Sequence, residues 1–313
     1  MISSLGPAAS INHPRVSAVG EAMMIVALAP LHNRQFTAGV SAAGLAQTAV
    51  WALIEEAELT PKPALVDGRG CGVHPDLSLA AMRASARALG PFFHDMAMTS
   101  RDRSPTPALR ARLAATGRAA ELAMSAATGG ANAHRGAIWA LGLLIAAVAM
   151  QGCADPDSVG ATAAALARLP DRFAPQRPDC DGLSNGGKAA ARYGVGGARS
   201  EASAGFPHAL RICLPALRSA RSRGLDEPSA RLDALLAVVA VMDDTCLLHR
   251  GGVEALSAAK VGAADVLAAG GCASPDGQVA LARLDARLNA LNASPGGAAD
   301  MLAAALFIDA LDG

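Results

Sequence analysis

The chain is a succession of apolar runs, rich in Ala and Leu at helical spacing, broken by short polar segments. Leu232, Leu235, Leu236 and Val239 share one face of a 3.6-residue period. Leu281, Leu284, Leu288 and Leu291 repeat a 3–4–3 spacing, with Arg283, Asp285 and Arg287 on the other side. The uncharged run Ala137–Met150 is shorter than the ~20 residues that span a bilayer and reads as a buried core helix. Thr106-Pro107, Asp155-Pro156 and Ser274-Pro275 each set a capping side chain before a proline suited to a first helical turn. Gly90-Pro91, Gly152 and Gly270-Gly271 read as helix stops. The Pro- and Asp-rich stretch from Pro170 to Gly187 reads as a long loop. The pattern predicts an all-α, single-domain multi-helix bundle over 36–313, with helices from about Gly39 and functional loops at helix breaks. An irregular segment over 1–35 precedes it.

Composition strengthens the helical reading. Of 313 residues, 52% are hydrophobic but only 3% aromatic, and Ala and Leu favour helix where β-branched and aromatic side chains favour strand. The formal net charge is zero, so no basic surface for nucleic acid is expected and any anion site must be local. Six cysteines, at 71, 153, 180, 213, 246 and 272, form no CxxC pair and read as dispersed free thiols. The N-terminus lacks the charged start and apolar run of a signal peptide, which leads us to expect a cytoplasmic protein with no membrane partner.

The candidate chemistry lies in five polar segments. In the first, Glu56 precedes Pro61-Lys62-Pro63, and Asp67, His74 and Asp76 follow on a Gly-containing loop. Carboxylates and an imidazole on a stiffened loop suit metal binding or proton transfer. In the second, Glu121, Thr128, Asn132, His134 and Arg135 crowd the break at Gly129-Gly130, where the following helix offers unpaired N–H groups to an anion. The third opens on GLSNGGKA, which nearly matches a phosphate-binding Walker A loop. Ala189 replaces the required hydroxyl and no apolar strand precedes it, so that reading fails. Its later GxGGxR run brings Arg192, Arg199 and Glu201 onto flexible backbone. The fourth holds Asp243-Asp244, then Arg250 and, one helix further on, Lys260; adjacent carboxylates at a helix end call for solvent or a cation. The fifth is Ser294-Pro295-Gly296-Gly297 before Asp300, where Gly-Gly at a helix start permits close approach of a ligand to the backbone. Taken singly, each segment also reads as an ordinary capped loop.

In order along the chain, the segments PKPALVD, GVHPD, ATGGANAHRG, YGVGGARSEASAGFP, DDTCLLHRGG and SPGGAAD resemble the triphosphoribosyl-dephospho-CoA synthase family. The resemblance runs from about residue 50 to 302. Wording around ALIEEAELTPKPALVD and GRGCGVHPDL is closer to the malonate decarboxylase branch than to the citrate lyase branch. Ala64 stands where the family usually has glycine, and Cys246 where asparagine is common.

The resemblance implies transfer of the triphosphoribosyl group of ATP to the 2′-hydroxyl of 3′-dephospho-CoA, with adenine released. Mg²⁺ is the expected cofactor. An acyl carrier protein or a holo-carrier transferase is the expected downstream partner. Such chemistry needs cations for the triphosphate, a base for the hydroxyl and negative charge near an oxocarbenium-like carbon. Lys62, Arg135, Arg199 and Lys260 are the phosphate candidates; Asp67, Asp76 and Asp244 are the metal candidates; His74 or Glu56 is the candidate base. Glu121, Thr128, Asn132, His134, Glu201, Arg250, Ser294, Gly296 and Gly297 complete the expected substrate contacts. Two other classes compete: a magnesium-dependent helical nucleotide or ADP-ribosyl hydrolase, and a non-enzymatic carrier-protein-binding module.

Overall fold

The hydroxyl of Ser41 accepts the Gly44 N–H at 3.0 Å and starts the first helix described here. The computed structural model describes residues 41–173 and 184–312; the expectations for 1–35, the helix start near Gly39, Cys180 and the centre of the Pro170–Gly187 loop lie outside them. In chain order the helices are α1 (Ala42–Glu58), α2 (Leu79–Ser100), α3 (Pro107–Ala127), α4 (Arg135–Gln151), α5 (Pro156–Arg168), α6 (Asn185–Tyr193) and α7 (Gly197–Ser203). A π-helical turn, His208–Cys213, leads into α8 (Leu214–Ser222), α9 (Glu227–Val239), α10 (Thr245–Ala268), α11 (Pro275–Ala290) and α12 (Gly296–Asp312). Among the described residues there is no strand beyond an isolated bridge between Asp67 and Gly70, so the fold is all-α as the apolar pattern predicts.

The predicted caps form. Thr106, Asp155 and Ser274 accept the N–H groups of Leu109, Ser158 and Gly277, each before a proline in the first turn. Helices α4 and α12 are the heart of the bundle. Ala140–Val148 of α4 and Met301–Ile308 of α12 are buried on every side, which is why their sequences show no polar stripe there. Around them, α12 packs on α1, α4 and α9, while α4 also meets α2 and α5. No single described helix is long and apolar enough to cross a membrane. The five described cysteines are free.

Four local expectations are corrected. Pro91 does not stop a helix but lies inside α2, whose neighbours Leu89 and Phe93 are fully buried; tertiary packing outweighs the lost backbone hydrogen bond. The far end of the stretch read as a loop up to Gly187 is helical: the Ser184 hydroxyl caps α6 by accepting the Gly187 N–H at 3.1 Å, so Asn185 to Gly187 lie in its first turn. Arg192, Arg199 and Glu201 ride on the short helices α6 and α7 rather than on flexible backbone. Lys260 shares α10 with Arg250, across a kink at Gly252, which has φ 65°. A Cβ at Gly252 would stand 3.3 Å from the Tyr193 hydroxyl, so α6 abuts the kink.

Candidate active site

The loop after α1 is organised by Asp67. Its carboxylate accepts the Lys62 N–H and the Arg69 N–H, each at 2.8 Å, together with the Arg69 guanidinium. Arg69 continues to Asp285 of α11 at 2.9 Å, tying the loop to a distant helix. This arrangement turns the Lys62 side chain inward. It is 1% exposed, and its Nζ lies 2.5 Å from both the Glu56 carboxylate and the Glu56 carbonyl at the end of α1. A buried pair of this kind holds together only because each charge answers the other.

The start of α4 lies beside this pair. His134 is buried; its Nδ1 is 2.7 Å from the Ser85 hydroxyl of α2, and its Nε2 has no partner. Burial and then the Lys62 charge lower its pKa to about 3, so the ring is neutral. Asp300 of α12 accepts the Ala137 N–H beneath the first turn of α4. The approach is so close that a Cβ at Gly136 would come within 1.9 Å of the Asp300 carboxylate. Burial, then the charges of Glu56 and Asp244, hold the Asp300 carboxyl well above the usual carboxylate range.

Asp244 joins two more helix starts. It caps α10 through the Cys246 N–H at 2.7 Å and accepts the Ala298 N–H of α12 at 3.0 Å. Burial raises its pKa despite these bonds. A Cβ at Gly297 would stand 2.9 Å from its carboxylate, and one at Gly296 would stand 3.2 Å from the Cys246 sulfur, so both glycines serve close helix packing. The starts of α4, α10 and α12 thus meet on Asp244 and Asp300, with the Lys62–Glu56 pair alongside.

His74 belongs to a second chain of contacts. Arg250 donates to the Val73 carbonyl at 3.1 Å and to His74 Nδ1 at 3.0 Å. Because a guanidinium only donates, Nδ1 must be unprotonated, and Nε2 then donates to the Ser294 hydroxyl at 2.8 Å. Burial and Arg250 lower the pKa of His74 to about 4, with Asp76 opposing. In this arrangement His74 orients Ser294 and has no free lone pair for a substrate proton.

The remaining sequence candidates are spread more widely. Arg135 pairs with Glu121 at 3.1 Å on the exposed side of the α4 start, and Asn132 caps the Arg135 N–H at 3.3 Å. Thr128 closes the Gly-Gly break by donating to the Ala131 carbonyl at 2.6 Å. Arg199 is exposed on α7. Glu201 turns inward and grips both the N–H and the ring of His208, at 2.9 and 2.6 Å, so its carboxylate is spent on the π-helical turn. Lys260 pairs with Asp243 at 2.6 Å.

The metal candidates do not converge: Asp67 staples its loop, Asp76 is exposed and Asp244 caps helices. Among the described residues no three His, Cys, Asp or Glu side chains form a group that could hold a metal ion. Sequence reasoning placed Asp300 in its fifth segment but gave it no role, and it left out Ser85. Asp300 had a signal, a carboxylate entering an otherwise apolar helix; Ser85 had none, since a serine in an amphipathic helix is unremarkable.

Comparison with known proteins agrees with the motif reading. Residues 42–313 match the family model described as ATP:dephospho-CoA triphosphoribosyl transferase. The 2-(5''-triphosphoribosyl)-3'-dephosphocoenzyme-A synthase of Klebsiella pneumoniae is 53% identical over 287 residues, covering 91% of this chain and 99% of that protein. Probable synthases of the same name from Azotobacter vinelandii and Pseudomonas aeruginosa are 53% and 54% identical over 269 residues, covering 85% of this chain and 91% and 90% of those proteins. No solved structure matches the chain. With its motifs in order and nearly all of the described fold inside the match, the chain belongs to the ATP:dephospho-CoA triphosphoribosyl transferase family.

Proposed function

We propose that the chain transfers the triphosphoribosyl group of ATP to the 2′-hydroxyl of 3′-dephospho-CoA, releasing adenine, at the junction of α1, α4 and α12. The observation that carries this assignment is the buried Lys62–Glu56 pair set against a carboxyl, Asp300, that favours its proton. Two coupled carboxyl groups, one paired with a lysine and one that favours its proton, can divide the work of acid and base. Asp300 gives its proton to adenine as the glycosidic C–N bond breaks. Glu56, held in place by Lys62, faces the positive charge developing at the anomeric carbon and takes the proton of the attacking hydroxyl. The hydroxyl oxygen bonds to the anomeric carbon, and the proton on Glu56 returns to Asp300 through solvent. His134 Nε2, buried without a partner, is the nearby group left to contact the nucleotide.

Magnesium would accompany the triphosphate and draw its ligands chiefly from phosphate oxygens, since among the described residues no three His, Cys, Asp or Glu side chains gather to hold it. The nucleotide substrates put the reaction in the cytoplasm. The motif wording between residues 52 and 77 supports a product that serves as the prosthetic-group precursor of the malonate decarboxylase acyl carrier protein. A holo-carrier transferase from that system, given the product and its apo-carrier, should label the carrier.

The direct test is incubation with ATP, magnesium and dephospho-CoA, with adenine and the adduct followed by mass. Adenine release that needs dephospho-CoA supports the transferase; release with water alone means a hydrolase. Asp300→Asn should lower turnover at least a hundredfold while circular dichroism stays helical. Normal turnover in that variant would remove Asp300 from the mechanism.

A further inference from the structure

A group of arginines on the face of α3 and α4 that continues from Arg135 adds Arg110 and Arg118 to the phosphate candidate Arg199. Arg110 and Arg118 stand two turns apart on α3, and Trp139 stands one turn beyond Arg135 on α4. The Arg110 guanidinium packs 4.8 Å from the Trp139 ring centre. The same indole donates its N–H to the Ala198 carbonyl at 3.2 Å, which brings α7 and the neighbouring Arg199 to this face. Arg118 is paired with Asp171 at 2.7 Å, as Arg135 is with Glu121. Arg110 and Arg199 have no ion-pair partner among the described residues.

Arg110 is the unusual member. It is only 8% exposed, and its Nε is buried with no hydrogen-bond acceptor. A guanidinium cannot shed its proton, so a buried and unanswered N–H costs stability unless an acceptor arrives. Stacking on Trp139 offsets part of that cost and fixes the plane of the fork. Burial pulls the Arg110 guanidinium below its ordinary value; Asp171 opposes this, and the like charges of Arg199 and Arg118 add to it. Like charges gathered around one carboxylate leave the group short of negative charge.

We propose that Arg110 and Arg199, positioned by Trp139, form a subsite for a phosphoanhydride chain of one of the two substrates, either the triphosphate of ATP or the diphosphate of dephospho-CoA. The assignment rests on the transferase reading for its ligand. Planar, pre-oriented guanidinium groups recognise phosphate oxygens in pairs, which a lysine does not reproduce. The subsite begins one helical turn from the α4 start, so a chain bound there leads towards Asp300 and His134.

The experiment uses Arg110→Gln, Arg199→Gln and, as a control, the exposed Arg211→Gln on the π-helical turn. Steady-state KM is measured for each substrate, and thermal shift is measured with inorganic tripolyphosphate and with dephospho-CoA. A rise of at least tenfold in KM for ATP, with loss of the tripolyphosphate shift, identifies the triphosphate. The same change for dephospho-CoA identifies the diphosphate. In either case kcat should fall less than KM rises, and Arg211→Gln should behave as the parent. Folded Arg110→Gln or Arg199→Gln protein with both KM values and both shifts unchanged would overturn the subsite. Arg199 is exposed, so its variant gives a result even if Arg110→Gln fails to fold. If the parent chain turns over neither substrate, the transferase reading fails, and the tripolyphosphate shift still judges the subsite.

Discussion

Ala64 holds φ at 58°, inside the left-handed region, with its N–H donating to Asp285 at 2.7 Å. That conformation costs a residue with a Cβ roughly 1–2 kcal/mol, a cost that the glycine expected there from the family resemblance would not carry. Ala64→Gly should therefore raise stability by up to about 1 kcal/mol, since glycine's greater freedom in the unfolded chain takes back part of the gain. A denaturant titration checks it, and a clear loss of stability would show that the buried methyl matters more than the backbone strain. Asp300 makes a second prediction at this scale. Its raised pKa means that the folded state binds its proton more tightly than the unfolded chain does. The stability it contributes is present below the ordinary carboxylate pKa of about 3.9 and is lost as pH rises through the folded value. Asp300→Asn should thus melt above the parent at neutral pH, with the gap closing by about pH 4.

At the scale of elements, three helix starts share two carboxylates. A carboxylate at a helix N-terminus satisfies orphan N–H groups and answers the helix dipole, and Asp244 does this for α10 and α12 together. Asp244→Ala would strand donors in two helices and should destabilise the protein by about 3 kcal/mol, read as a lower midpoint in chemical denaturation. Asp244→Asn keeps an acceptor and should cost less than half as much. Gly136→Ala acts through the other carboxylate. The new methyl would overlap the Asp300 carboxyl, so adenine release should fall at least tenfold while helix content is retained. Unchanged activity would show that Asp300 can move without consequence for the reaction.

At the scale of the whole molecule, two histidines, His134 buried and His74 half-buried, should set the acid limit of stability. His74 and His134 titrate at about 4 and about 3 in the folded protein, against about 6.5 when exposed. The unfolded chain therefore binds more protons between these values, so the stability they contribute is complete above pH 6.5 and is lost as pH falls towards 4 and 3. The melting temperature should drop across that range, and His134→Gln should drop less steeply than the parent. An equal slope in the variant would mean that His134 does not govern the acid limit.

Much of the architecture was readable in the chain. The Leu faces of α9 and α11, the cap-proline pairs at Thr106, Asp155 and Ser274, and the all-apolar middle of α4 act through neighbours a few residues apart, so local pattern determined them. The ordered motifs likewise determined the family. Pro91 escaped that logic because a helix buried on one face can continue through a residue that would end an isolated one. Tertiary structure alone decided what each polar side chain meets. Lys62 reads as a phosphate ligand in the chain but turns inward to Glu56; His74 reads as a base but has its lone pair occupied by Arg250, 176 residues away in sequence; Asp300 reads as a helix residue but lies under the start of α4. The physical reason is range. Helix propensity and capping are settled within a turn or two, whereas burial, charge coupling and proton placement depend on which distant helices pack together, and no local pattern carries that information.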